Sequence, residues 1–284
     1  MFEYICPTTQ LACLVEKSSN EETCKGTNIA LHGWLDNARS FEKLIPLLPD
    51  YDWYAIDLPG HGRSPHKSSD AEYNSWSFLN DVSQFISGIN GPVNLVCHSM
   101  GTISGIILAA LFPDKVAKLI LLDAIGPLVM NDDDIVTTFS EALKERTANS
   151  RLQSMRNHMV DFNEAIKKRI RANPYLTKEE IAGVCHRNIL RIENKLTWRT
   201  DPKLKQKGFT RLNENQVKKL ANSVNCPVLA IRGNDSFVPL EFFDKRVQYF
   251  SNIVFKKVAG HHHWHLNMVS LKASLEDIDT FLTC

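Results

Sequence analysis

The stretch "NLVCHSMGTIS", residues 94–104, decides the fold. An apolar run ends at His98, and apolar side chains recur at helical spacing after Met100, so the stretch predicts a strand, a sharp turn and a helix. Ser99 lies at the turn, in a near match to G-x-S-x-G, the pattern that presents a serine nucleophile. Cys97 stands where that pattern has its first glycine.

Ser99 has two interpretations. It could be the N-cap of the following helix, a position that serine often occupies. It could instead be a nucleophile, because Gly101 supplies one of the small residues that the turn needs and the thiol of Cys97 is nearly as small. A serine hydroxyl reacts only when a base removes its proton, so the second interpretation requires a histidine, an acid and an oxyanion hole elsewhere.

Six apolar runs predict a largely parallel sheet. Several are apolar at nearly every position, as in strands covered on both faces, and helical patterns lie between them. The runs span 28–33, 53–59, 93–98, 118–124, 227–233 and 253–260. Residues 125–208 show helical patterns and no strand, so we predict an α/β core of residues 1–124 and 209–284 with a helical cap of residues 125–208 inserted. The cap is mildly basic, which solvated helix faces explain.

The acid that orients the base is expected just after a late strand. Asp235 follows the run at 227–233 and is our first candidate. Asp123 follows "KLILL" (118–122), near the end of the run at 118–124, and ranks second, since that position also commonly holds a structural group. Either aspartate could be only a turn residue.

The base is expected after the last strand, where four histidines occur: His261, His262, His263 and His265. The order serine, aspartate, histidine is the one expected for this arrangement. The i, i+4 spacing of His261 and His265 also fits a helical zinc site. Gly260 and the strand end favour a loop, and no carboxylate lies close in sequence, so we predict neither a metal nor a cofactor.

An oxyanion hole requires two backbone N–H groups. Met100, which follows the serine, would supply one. Trp34 would supply the other, because it follows Gly33 in "LHGWLDN", directly after the first long apolar run.

Composition limits the other classes of function. The chain has 284 residues, 43% of them hydrophobic, and a net charge of +1, so nothing indicates a nucleic-acid partner. No run of apolar residues is long enough to span a membrane, and no secretion signal opens the sequence. The seven cysteines show no CxxC pair. We therefore expect a cytoplasmic protein with reduced thiols; the oligomeric state is unknown.

Five motifs in this order resemble the α/β-hydrolase superfamily over nearly the whole chain: "HGWLDNARSF", "DLPGHGRSP", "CHSMG", "RGNDSFVP" and "GHHHWH". With "LIPLLP" and "WRTDPKL" (198–204), they are similar to the serine hydrolase-like (kraken-like) family. The resemblance implies the following roles: Ser99 as nucleophile, Asp235 as acid, His262 as base, and Trp34 and Met100 as backbone oxyanion donors. His261 is the alternative base. Cys97 and Thr102 depart from the pattern, since glycines are common at both positions.

The resemblance and the residues together predict a serine hydrolase that cleaves small carboxylic esters or thioesters through an acyl-enzyme on Ser99. Its partner would be a small-molecule acyl ester, selected by the cap, where Trp198 is a candidate substrate-binding residue. Carbon–carbon bond or other hydrolase chemistry on the same triad is one alternative. A catalytically weak ligand-binding relative is the other, favoured only by Cys97 and Thr102.

Overall fold

The computed structural model describes residues 1–149, 159, 161–193, 195–209 and 211–283. The strands are β1 (Phe2–Ile5), β2 (Ala12–Glu16), β3 (Thr27–Leu31), β4 (Asp52–Ile56), β5 (Val93–His98), β6 (Val116–Leu122), β7 (Ile189–Ile192), β8 (Lys195–Trp198), β9 (Val228–Gly233) and β10 (Ile253–Val258). The α-helices are α1 (Ser75–Ser87), α2 (Gly101–Leu111), α3 (Ile135–Asn149), α4 (Phe162–Ala172), α5 (Lys178–Asn188), α6 (Glu214–Asn222), α7 (Leu240–Val247) and α8 (Met268–Thr283).

An eight-stranded sheet forms the centre of the molecule, in the order β1-β2-β4-β3-β5-β6-β9-β10. β1 and β2 pair antiparallel, as do β2 and β4, and every later neighbour in the order is parallel. The expected mostly parallel sheet is confirmed. The carboxyl ends of the parallel strands lie at one edge of the sheet, which is where ligands bind in sheets of this kind.

Apolar clusters cover both faces of the sheet. Leu31 and Leu95 point to the face that includes Phe78 of α1 and Ile106 of α2. The neighbouring Ala30 and Val96 lie in the cluster of the other face, with Trp53 from β4 and Leu271 from α8. All six residues of β5 are buried. Burial on both faces explains why the inner strands read as continuous apolar runs.

All six predicted strands are present, with ends that differ from the predicted runs by at most two residues, except for three at the end of the second. The antiparallel pair β1 and β2 was not predicted. β1 forms the edge of the sheet and all four of its residues are exposed, so its sequence carries no burial pattern.

The inserted segment, which we define as residues 125–208, contains α3, α4 and α5, but the expectation that it lacks strands is wrong. β7 and β8 pair as an antiparallel hairpin, and Met159 forms an isolated bridge to Leu196 of β8. Each strand has only four residues, too few for periodicity to identify. Parts of the predicted cap, at 150–158, 160 and 194, lie outside the described residues, as does Cys284. The division into core and cap stays a prediction.

Among the described residues, no helix has both the length and the apolar character needed to cross a lipid bilayer. The six cysteines of the described ranges are free thiols, and five of them are buried.

Candidate active site

The turn between β5 and α2 presents Ser99 at the carboxyl edge of the sheet. Ser99 has a φ of 48°, in the left-handed region that side chains rarely adopt, and its N–H donates to the Leu122 carbonyl of β6 at 3.1 Å. A Cβ on Gly101 would lie 2.2 Å from the Leu31 carbonyl oxygen, so only glycine fits there. The strain and the close approach are those of a nucleophile elbow.

The two departures from the elbow pattern each have a compensating contact. Cys97 is fully buried, and a Cβ built on Gly105 of α2 would lie 2.6 Å from its Sγ, so the missing side chain at Gly105 makes room for the thiol. The Thr102 hydroxyl donates to the Ser99 carbonyl at 2.7 Å. The close approach of β5 and α2 is therefore permitted by Gly101 and Gly105 instead of glycines at positions 97 and 102. The Thr102 hydroxyl adds a hydrogen bond to the turn.

His262 contacts Ser99 directly. Its Nε2 lies 2.9 Å from the Ser99 Oγ, and its Nδ1 lies 2.6 Å from Oδ2 of Asp123. Because the Nδ1–H donates to the carboxylate, Nε2 carries a lone pair that faces the Ser99 hydroxyl. The ring of exposed Phe237 lies 4.3 Å from the imidazole, centroid to centroid, and covers it.

The structure corrects the expectation for the acid, since Asp123 contacts His262 and Asp235 does not. Asp123 follows β6 with a φ of 55° and is fully buried. Its carboxylate also accepts bonds from the Gly233 N–H at 2.6 Å and from the Ser236 hydroxyl. Asp235 lies two residues beyond β9, is exposed, and donates its N–H to the Gly260 carbonyl. The end of β9 and the loop after it thus hold the carboxylate of Asp123 in place, and the carboxylate of Asp235 in that loop does not contact His262.

The other histidines of the terminal cluster lie apart from Ser99. Nε2 of His261, the alternative base, lies 3.5 Å from the Glu180 carboxylate of α5. Nε2 of His263 lies 3.3 Å from Oδ2 of Asp36. His265 is fully buried, and neither of its ring nitrogens has a hydrogen-bond partner among the described residues.

The predicted oxyanion donors flank the elbow. Met100 directly follows Ser99, and Trp34 follows Gly33, where a Cβ would lie 3.1 Å from the Ser99 Cβ. Within the described ranges neither backbone N–H donates to another protein group. The indole of Trp34 donates to the Leu204 carbonyl at 3.1 Å, which ties the loop that carries Trp34 to the inserted segment.

A cavity of about 160 Å³ lies beside these donors. It is lined by Trp34, Tyr73, Asn74, Phe78, Met100, Ile103, Ser104, Leu204, Gly208 and Arg211. Trp198, the predicted substrate-binding residue, is not in this lining. It packs against the apolar clusters of the inserted segment, such as Ile166 and Leu196, which favours a structural role.

Sequence analysis missed a buried polar cluster behind the elbow, formed by Asp36, His98 and His263. The signal was present, because Asp36 belongs to "HGWLDN" and His98 to the elbow itself. Burial, and after it the neighbouring imidazoles, hold the pKa of His98 well below its ordinary value. Burial alone would raise the pKa of Asp36, but the charge of Arg169 and the contacts with the two histidines hold it well below the ordinary value.

The same three residues could coordinate a cation, since their candidate ligand atoms lie within 4.8 Å of one another. The guanidinium of Arg169 already contacts the Asp36 carboxylate and neutralises it. A divalent ion would add unpaired positive charge to a buried site, which is costly, so the donor set does not favour a metal.

Comparison with known proteins identifies the family of the chain. Residues 29–266 match the family model described as alpha/beta hydrolase fold. The chain is 31% identical over 250 residues to a probable serine hydrolase of Drosophila melanogaster, and 27% identical over 249 residues to a serine hydrolase-like protein of Danio rerio; each match covers 84% of this chain and 76% of the relative. The crystal structure of a hypothetical protein from Pseudomonas aeruginosa superposes with a TM-score of 0.90 at 26% identity, covering 100% of this chain and 99% of that one.

Proposed function

Since the chain belongs to the alpha/beta hydrolase fold family, we propose that it is a serine hydrolase that cleaves small carboxylic esters or thioesters, with Ser99, His262 and Asp123 as its catalytic triad. The observation that carries the proposal is the pair of contacts made by His262, to the Ser99 Oγ at 2.9 Å and to Asp123 at 2.6 Å. Together they provide a nucleophile, a base and a group that orients the base.

The chemistry proceeds in two halves. Nε2 of His262 takes the hydroxyl proton as the Ser99 Oγ attacks the acyl carbon, and the N–H groups of Trp34 and Met100 stabilise the oxyanion. The protonated imidazole, stabilised by Asp123, then gives its proton to the leaving alcohol or thiol. A water molecule, deprotonated by the same imidazole, attacks the acyl carbon, and the imidazolium returns that proton to the Ser99 Oγ as the acyl–Oγ bond breaks and the acid leaves. Side chains and backbone groups of the chain carry every step.

The cavity beside the oxyanion donors supports a short acyl group. Its volume of about 160 Å³ is well below the roughly 300 Å³ at which pockets for drug-sized ligands begin. The lining includes Phe78, Ile103 and Leu204, which suit an apolar chain. We therefore expect the rate to fall once the acyl chain outgrows this space.

A graded series of p-nitrophenyl esters, from acetate to palmitate, and the matching thioesters test the proposal. We expect turnover to be highest for the short acyl groups and absent from Ser99→Ala. A dienone substrate with a scissile carbon–carbon bond tests the alternative chemistry in parallel. Turnover of the dienone alone would replace the ester proposal, and no turnover of any substrate by folded wild-type protein would contradict it.

The contacts of the elbow weigh against a catalytically weak binder. That alternative depended on Cys97 and Thr102, which depart from the family's glycines. Gly105 accommodates the thiol of Cys97, and Thr102 donates a hydrogen bond to the elbow. Neither departure displaces Ser99 from His262.

A further inference from the structure

We propose that Arg169, on α4 of the inserted segment, is a positioning residue that acts on the catalytic site through Asp36. The inference rests on the proposed function, because it concerns the rate of that reaction. Asp36 is fully buried, and its Oδ1 accepts a charged hydrogen bond from the Arg169 guanidinium. Its Oδ2 faces Nε2 of His263 at 3.3 Å and Nδ1 of His98 at 3.8 Å.

The groups around Asp36 belong to the three segments that build the site. Asp36 lies two residues after the oxyanion donor Trp34, on the same loop. His98 immediately precedes Ser99, and His263 immediately follows the base His262. One carboxylate therefore contacts the immediate neighbours of both the nucleophile and the base.

A direct contact joins two of these segments as well. Nε2 of His98 lies 3.0 Å from the backbone carbonyl of His262 and donates its proton there. The same bond leaves Nδ1 of His98 without a proton, facing the Asp36 carboxylate and without a hydrogen-bond partner among the described residues. The lone pair of His98 Nδ1 thus faces the negatively charged Oδ2 of Asp36, which is unfavourable. The arrangement therefore depends on a group that neutralises the carboxylate.

Arg169 is the group that supplies this neutralisation. Burial keeps His98 and His263 in their neutral forms at pH 7, so neither imidazole provides a full positive charge. A buried carboxylate without a cation is strongly unfavourable and would draw in water or shift the loops that carry it. The ion pair with Arg169 therefore fixes Asp36, and through Asp36 the segments of the site.

The position of Arg169 makes its effect separable from substrate binding. Ala165 and Ile166 of α4 are buried in the apolar clusters of the inserted segment, which fixes the helix. Arg169 does not line the cavity beside the oxyanion donors. A change at Arg169 should therefore alter the rate of the chemical step and leave substrate affinity unchanged.

The test compares Arg169→Met, Arg169→Lys and the control Lys168→Met on the best short ester. Lys168 is the adjacent residue on α4 and pairs with Glu164 at the surface. Supporting groups of this kind are worth about 10- to 100-fold in activity, so we expect Arg169→Met to lower kcat by that factor with KM within about 2-fold of wild type. Arg169→Lys should recover part of the loss, because it restores the charge, and Lys168→Met should match wild type.

Each outcome decides the inference. An unchanged kcat in Arg169→Met, a raised KM at wild-type kcat, or an equal loss in Lys168→Met would overturn it. If Arg169→Met does not fold, the double variant Arg169→Met/Asp36→Asn removes both buried charges together; a low kcat supports the inference and a wild-type kcat overturns it. Wild-type protein without any esterase activity would instead contradict the proposed function, so the two failures are distinguishable.

Discussion

At the scale of single residues, the pairing of His262 with Asp123 is the feature that departs most from expectation. Both Asp123 and Asp235 follow strands whose carboxyl ends lie at the same edge of the sheet. Sequence identifies both candidates. The choice between them depends on the left-handed turn at Asp123 and on two donors, Gly233 at the end of β9 and Ser236 in the loop after it, and neither feature has a sequence pattern.

The same substitution at the two aspartates gives opposite expectations. Asp123→Asn should lower kcat by about 1,000-fold or more, because the amide neither stabilises the imidazolium nor keeps the correct tautomer. Asp235→Asn, at an exposed position, should stay within about 2-fold of wild type. Steady-state kinetics on the best short ester measure both, with circular dichroism as the check on folding. A large loss in Asp235→Asn with an active Asp123→Asn would reverse the assignment.

The base could be placed from sequence only with the help of the family pattern. Four histidines follow the last strand, and composition does not separate them. His261, His262 and His263 precede the 3-10 turn at Trp264–Leu266, and the structure directs these consecutive side chains to different neighbours. His262 contacts Ser99, His261 lies against α5, and His263 contacts Asp36.

At the scale of the elements, the elbow depends on how closely β5 and α2 approach each other. Cys97 of β5 and Gly105 of α2 form one contact, so their substitutions should be coupled. Gly105→Ala places a methyl against Sγ and should lower the free energy of unfolding by about 1–3 kcal/mol. In a Cys97→Gly background the contact with Sγ is removed and the looser contact with Leu119 Cδ1, at 3.0 Å, remains, so the loss should shrink.

Urea unfolding of wild type, the two single variants and the double variant measures this coupling. We expect an interaction free energy of about 1 kcal/mol or more in favour of the double variant. Strictly additive changes would show that the thiol does not occupy the space left by Gly105.

Whether a strand could be predicted from the sequence depended on how fully its two faces are buried. Strands covered on both faces, such as β5 and β9, have apolar residues at nearly every position and were predicted. The exposed edge strand β1 and the four-residue strands β7 and β8 were not, because they lack burial on two faces or sufficient length. Tertiary contacts determine these elements.

At the scale of the whole molecule, buried histidines should make stability depend on pH. Burial lowers the pKa of five of them: His32, His61, His98, His263 and His265. Below a pH of about 6.5 the unfolded chain binds protons at these imidazoles and the folded chain does not. The free energy of unfolding should therefore fall as the pH falls, with a limiting slope of about 1.4 kcal/mol per pH unit for a histidine that is protonated only in the unfolded chain.

Urea unfolding at pH 7.5, 6.5 and 5.5 measures this dependence in a range above the titration of the carboxylates. His265→Leu is the matched variant, since it removes one buried imidazole that has no hydrogen-bond partner among the described residues. The slope of its unfolding free energy with pH should be smaller than that of wild type by the contribution of about one proton. Equal stability of the wild-type protein at pH 7.5 and 5.5 would show that these imidazoles are protonated in the folded state.

The most direct test of the account is the rate at which a fluorophosphonate labels the protein, with the modified residue identified by mass spectrometry. Wild-type protein should be labelled at Ser99, and Ser99→Ala should not react. His262→Ala should lose most of the rate, whereas His261→Ala should keep it, because His262 contacts the Ser99 Oγ and His261 lies against Glu180 instead. Folded wild-type protein that resists labelling, or labelling that persists in Ser99→Ala, would contradict the claim that Ser99 is an activated nucleophile.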